Sequence, residues 1–249
     1  MRIRSKLRMP GRQRIFKVLA VALLSFLLEG CGPRLVKGPA ETPDVPAPDS
    51  LKAKFSLEMT DSVSGSHKLS GVLFAVPYER YRFEFSGPMG IGIASLLWNA
   101  GEWTLLLPQQ KAFASGRGYL VGGYAGIPLF DVHRIASLFW GNVLPRGTTV
   151  DSSRTVSGKR EMFGRTSLGI PFFAVCDTNG RIARISEGAE RLEFMDYAEF
   201  GGVVAPSKAT VYRREGALNF RLKSVKPDAE WGRGIWRLPI PEDYDRLDD

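Results

Sequence analysis

The sequence predicts a mainly β, α+β domain: a strongly curved antiparallel sheet, half of a barrel, with helical cover over its concave face. Three observations lead there. Apolar and polar residues alternate with a period of two in many short segments, as in Tyr81-Arg82-Phe83-Glu84-Phe85, the pattern of strands with one buried face. Gly87-Pro88, Asn99-Ala100-Gly101, Thr178-Asn179-Gly180 and Glu215-Gly216 separate these segments, and such breaks suit the short connections of antiparallel hairpins. A single stretch, Leu129–Trp140, instead places Leu129, Val132, Ile135, Ala136 and Phe139 at helical spacing ahead of Gly141-Asn142, as an amphipathic helix does before its stop signal.

At the N-terminus, Arg2, Arg4, Lys6, Arg8, Arg12, Arg14 and Lys17 precede the apolar run Val18–Leu28. A run of 11 residues suits the core of a secretory signal and falls short of the roughly 20 residues of a spanning helix. It ends at Leu28-Glu29-Gly30-Cys31, which reads as a lipobox: Gly30 admits the peptidase and the Cys31 thiol accepts the diacylglycerol. Glu29 is unusual at its position in such a box. Residues 1–30 are therefore expected to be a lipoprotein signal peptide, with Met9 an alternative start. Residues 31–50 would be the lipidated cysteine and a tether, because Pro33, Pro39, Pro43, Pro46 and Pro48 keep a chain extended. Gly32, where an aspartate would favour inner-membrane retention, argues for the periplasmic face of the outer membrane.

From Leu51 the expected strands are Ala53–Met59, Lys68–Val76, Tyr81–Phe85, Ile91–Trp98, Trp103–Leu107 and Lys111–Ala114. After the helix, Arg146–Arg165 is polar and reads as a loop. Strands resume at Thr166–Cys176, Arg181–Ser186, Arg191–Tyr197, Lys208–Arg213 and Ala217–Lys223. A single domain over residues 51–240 follows, with 241–249 an acidic tail. Gly122-Gly123 and Gly201-Gly202 read as turns or bulges.

Composition narrows the function. Seven of the 34 basic residues and one of the 26 acidic residues lie in positions 1–30, leaving 27 and 25 in the remainder. The basic character of the whole chain thus belongs mainly to the leader, and nucleic acid is not an expected partner. With Cys31 lipidated, Cys176 has no intramolecular partner and reads as a small buried residue. His67 and His133 lie far apart without ligand spacing, His133 on the polar side of the helix. No metalloprotease, nucleophile-elbow or phosphate-loop motif occurs. Asp151-Ser152-Ser153 has no histidine near it in sequence. The expected protein is not an enzyme and has no catalytic residues, metal or cofactor.

Tyr81–Ala114 carries a resemblance: Tyr-Arg-Phe-Glu-Phe-Ser-Gly-Pro-Met-Gly-Ile-Gly, then Ala-Ser-Leu-Leu, Trp-Thr-Leu-Leu-Leu and Lys-Ala-Phe-Ala, with Asn142-Val143-Leu144-Pro145 after the helix. These segments, with the lipobox, resemble the LolB-like outer-membrane lipoproteins of the LolA/LolB lipoprotein-localisation superfamily. The resemblance implies helical cover over an apolar cavity that holds the acyl chains of client lipoproteins. It also implies a periplasmic LolA-like carrier as partner and a monomer in the membrane-anchored state. The inward set would come from Phe55, Leu57, Leu73, Phe83, Phe85, Leu97, Leu105, Phe220 and Leu222, which alternatively fill a solid core. By position Met89, flanked by Pro88 and Gly90, matches the family's protruding membrane-insertion loop; the other reading folds it back onto the barrel rim. A further alternative is an envelope lipoprotein of the same fold with a scaffolding or other lipid-binding role. The proline tether, long leader and acidic C-terminus depart from the family pattern.

Overall fold

The structure, a computed structural model, describes residues 35–36, 47–61, 65–121, 130–144, 147–166, 168–213 and 216–247. The leader 1–30, Cys31, most of the tether, Gly122-Gly123, Leu129 and Pro145-Arg146 lie outside the described residues.

Alternation from Leu51 onward produces hairpin after hairpin. The strands are β1 (Leu35–Val36), β2 (Leu51–Asp61), β3 (Gly65–Val76), β4 (Arg80–Ser86), β5 (Gly92–Asn99), β6 (Glu102–Leu107), β7 (Ala112–Arg117), β8 (Leu120–Val121) and β9 (Phe130–Asp131). After the helix α1 (Val132–Ser137) come β10 (Thr149–Val156), β11 (Lys159–Arg165), β12 (Pro171–Cys176), β13 (Ile182–Glu187), β14 (Glu190–Phe200), β15 (Val203–Arg213), β16 (Gly216–Pro227) and β17 (Asp245–Arg246). Fifteen of these form one sheet ordered β1, β10 to β16, β2 to β7, β17, while β8 and β9 pair separately. The sheet is curved and open, ending at β1 and β17. The half-barrel expectation is met as a long curved sheet that does not close.

Two meanders, β2–β7 and β10–β16, join at a central antiparallel seam where β16 pairs with β2, Phe220 opposite Leu57 and Leu222 opposite Phe55. Turn chemistry explains the hairpins within each arm. Ala100-Gly101, Ser157-Gly158 and Gly201-Gly202 all have positive φ at both positions, the backbone that matches the twist of paired strands. Polar content does not prevent pairing between Thr149 and Arg165. The loop expected over 146–165 is instead the β10–β11 hairpin, with Arg154 Nε 2.6 Å from Glu161 Oε2 across the pair. A bulge between Val150 and Ser152 breaks the alternation that would have revealed it.

On the concave face, aromatic rings lie over cross-strand glycines. A Cβ on Gly71 would sit 2.2 Å from the Phe55 ring, and one on Gly116 would sit 2.5 Å from Trp103, so these floors admit only glycine. Phe55 gathers Phe85 and Phe220 at ring-centroid distances of 6.0 and 5.6 Å. Asp131 begins α1 by accepting backbone N–H bonds from His133 (2.9 Å) and Arg134 (3.1 Å), a side-chain N-cap. Leu138–Trp140 continues the helix as a tighter turn that ends at Gly141 (φ 82°). Phe139 packs 5.0 Å from Phe55, and Trp140 meets Tyr78 at 5.6 Å. His133 is not on a solvated side, as its helical position implied. Its ring lies 4.5 Å from Trp98, and Nδ1 is 3.0 Å from Tyr81 Oη.

The chain after β16 is a strap on the convex face. Trp231 meets Phe74 at 5.9 Å. Arg82 Nη1 donates to the carbonyls of Ile235 and Arg237, both at 2.8 Å. The acidic segment then runs along the sheet edge, where β17 pairs parallel with β7 and Lys111 Nζ lies 2.9 Å from Asp243 Oδ2. That hydrogen bond holds the Asp243 carboxyl below its ordinary range and raises Lys111.

Cys176, on β12, is buried. Burial pushes its thiol up, against the opposing influence of Arg160, so little thiolate forms at neutral pH. The folded protein is expected to leave Cys176 unlabelled by a maleimide, with full labelling in denaturant. Peptide mapping of rapid labelling to Cys176 in the folded state would contradict the placement.

Candidate functional site

The aromatic plug made by Phe139 and Trp140 fills one part of the concave face, and the remainder is open. A cavity of about 530 Å³ lies between the sheet and α1, within the size range of small-molecule sites. Six of the expected residues line it: Phe55, Leu57, Phe83, Phe85, Leu105 and Phe220. Leu73 and Leu222 are buried in the surrounding core and are not among its walls. Leu97 is on the other face altogether, opposite Arg82 and Thr104, while Ala94, Leu96 and Trp98 point inward. Solid core and cavity, the two readings of the apolar set, therefore occupy different parts of one concave face.

Other walls lie outside that expected set. Ile135 and Leu138 contribute from the helical cover, and Leu120, Leu168 and Ile170, all partly exposed, also line the cavity. Thr166 and Ile170 are held together by a backbone hydrogen bond of 2.9 Å. Charge enters through one internal pair: Arg134 Nη1 lies 2.5 Å from Glu187 Oε2, with the side chains 13% and 11% exposed. Removing such charges from water is costly unless they stay paired. The contact ties the cover to β13 beside the apolar walls. A second pair, Arg213 with Glu190 at 2.9 Å, also borders the cavity. No motif spacing announces either pair, because each joins segments distant in sequence.

The turn between β4 and β5 projects from the end of the sheet where Phe85 and Ile93 border the cavity. Gly87 N–H donates to Ile91 O at 2.9 Å and closes its base. Pro88–Gly90 forms a single tight turn, with Met89 in the left-handed region (φ 59°) and 92% exposed. Ile91 beside it is 52% exposed. Two apolar side chains thus stand in solvent on a short, hydrogen-bonded turn.

Among the described residues, no three His, Cys, Asp or Glu side chains are grouped as metal ligands. Asp151 lies on β10 with its carboxylate 4.0 Å from Arg165. No helix among the described residues is long and apolar enough to cross a membrane.

The backbone has relatives among solved structures. A protein of the LolA superfamily from Nitrosomonas europaea superposes with a TM-score of 0.57 at 8% identity, over 78% of this chain and 93% of that one. The fold is LolA-like. A protein of the DUF1329 family from Desulfovibrio piger also superposes on the chain, with a TM-score of 0.56 at 10% identity over 78% of this chain and 91% of its own. No protein-family model matches the chain, and no curated protein matches it in sequence. The LolA-like frame accordingly rests on three-dimensional similarity, and the residues lining the cavity are this chain's own.

Proposed function

We propose that the chain is an outer-membrane-anchored lipoprotein that binds acyl chains in its concave cavity. From there it helps receive lipoproteins and insert them into the outer membrane, without a covalent step. The observation that carries this reading is the apolar cavity of about 530 Å³, whose walls Phe85 and Ile93 lie on the two strands that lead into an apolar turn. An acyl chain leaving water for such walls is favoured by roughly 0.8 kcal/mol per methylene. A cavity can therefore hold a chain firmly and still release it to a bilayer, which offers the same environment without limit. Lipidation at Cys31 would hold the domain on the periplasmic face, and Pro88, Met89 and Gly90 would meet the membrane. A periplasmic LolA-like carrier would deliver clients along a gradient of rising affinity. Depleting the protein from its native cell and fractionating the envelope tests this. The expected result is accumulation of other outer-membrane lipoproteins in the inner-membrane or soluble fraction, and undisturbed sorting would rule out the transfer role.

A further inference from the structure

The convex face carries a second recess that the acyl-binding reading does not use. Its floor is one row of cross-strand partners: Lys208 opposite Arg221, Arg221 opposite Ser56, Ser56 opposite Ser70, and Ser70 opposite Ser86. Beyond Ser86 the chain enters the Gly87–Ile91 turn that presents Met89. Because Ser56 and Ser70 are short and lie among longer neighbours, the row is a groove, with a volume of about 670 Å³. Lys68, Lys208, Arg221 and Lys223 border it, against one carboxylate, Glu58. Glu58 is engaged by Ser66 (2.8 Å) and Lys68 (3.6 Å), and Lys208 is paired with Asp196. Arg221 and Lys223 are exposed and make no ion pair among the described residues. Lys223 stands at the bulge between Leu222 and Ser224.

We propose that this groove binds the phosphates of anionic phospholipids, so that headgroups seat against Arg221 and Lys223 while Met89 enters the bilayer beside them. The proposal rests on the membrane-facing reading of Met89 and adds a headgroup site to it. Three features favour a lipid surface. The charge is complementary: a guanidinium and an ammonium with serine hydroxyls between them are donors suited to phosphate oxygens. The groove is continuous with the apolar turn, as a surface that touches both headgroups and acyl region must be. Its lining mixes the two kinds of surface, with Leu69, Pro88 and Met195 beside the serines and cations, as suits the boundary between headgroups and acyl chains. Cations near an anionic leaflet also add up individually, so two unpaired ones give a contact that is reversible and sensitive to salt.

The test uses the full, lipidated chain in vesicles of phosphatidylcholine alone or with a third phosphatidylglycerol. A fluorophore at Met195→Cys, on the groove wall, reports quenching by headgroup spin-labelled lipid. A separate fluorophore at Met89→Cys reports insertion of the turn. Quenching at position 195 is expected only in the phosphatidylglycerol vesicles and is expected to vanish in high salt. The double variant Arg221→Gln, Lys223→Gln is expected to weaken headgroup association roughly thirty-fold, with unchanged circular dichroism. Equal quenching on phosphatidylcholine alone, or in the double variant, would overturn the proposal. Unchanged quenching combined with slower hand-over of lipoproteins would assign the groove to an acidic protein instead, and also overturns it. If position 195 behaves as expected and position 89 never inserts, the Met89 reading fails while the headgroup site stands.

Discussion

Replacing Phe139 by alanine is expected to lower the stability of the domain by about 3–5 kcal/mol, the range for a fully buried aromatic. Phe139 is 0% exposed. Its ring meets Phe55 at 5.0 Å, Phe220 at 5.2 Å and Phe83 at 6.5 Å, spanning the seam between the two arms of the sheet. Each well-oriented aromatic pair adds about 0.5–1.5 kcal/mol to the area buried. The void would adjoin a cavity that already exists, so collapse around it is poor and the upper half of the range applies. For a domain of this length the change corresponds to a fall in melting temperature of roughly 8–20 °C, read by circular dichroism. Leu97→Ala, on the convex face, is the control and should cost less than about 1.5 kcal/mol. A Phe139→Ala protein that melts with the wild type would mean that the cover does not depend on this plug.

The second large effect is functional. If the proposed function holds, Met89→Glu is expected to abolish insertion of delivered lipoproteins while leaving folding, anchoring and acyl-chain binding intact. Met89 makes no core contact that the substitution could break, being 92% exposed, and glutamate tolerates the left-handed backbone at φ 59° about as poorly as methionine does. Burying the methionine side chain in a bilayer gains about 1–2 kcal/mol, enough for a brief contact and too little to anchor the protein. A carboxylate at the same tip must instead enter an apolar region at a cost of a few kcal/mol. Reconstituted transfer from a loaded carrier to vesicles measures the step, with Met89→Leu expected to restore it. Full transfer by the glutamate variant would remove the turn from the mechanism.

Most strands are legible in the sequence because a sheet with one buried face imposes a two-residue period, and Gly- and Asn-containing turns mark the ends. Where both faces are covered the period blurs. Leu96-Leu97-Trp98 is apolar throughout, and Leu97 falls outward, in the row of Arg82, because Leu96 and Trp98 take the inward positions. The β10–β11 hairpin is hidden by polar residues and a bulge, although Ser157-Gly158 is a turn signal that could have revealed it. Of the cavity, the sequence discloses the apolar walls on β2, β4, β6 and β16. It does not disclose the empty volume, since a missing side chain has no periodicity. Nor does it disclose Arg134 with Glu187, which only the folding of α1 over β13 brings together.

The central seam has a consequence for how the chain reaches its native state. Hairpins within each arm close short loops and form early, whereas β2 must wait for β16, almost the whole domain later. Closing a loop of that length is the slow event. Until it happens, the outer edge of β2 is a bare row of backbone donors and acceptors beside Phe55 and Leu57, open to strands from other chains. The domain is thus sealed by its last long strand. A nascent chain halted before Gly216 is an unfinished sheet with an adhesive edge that only β16 covers.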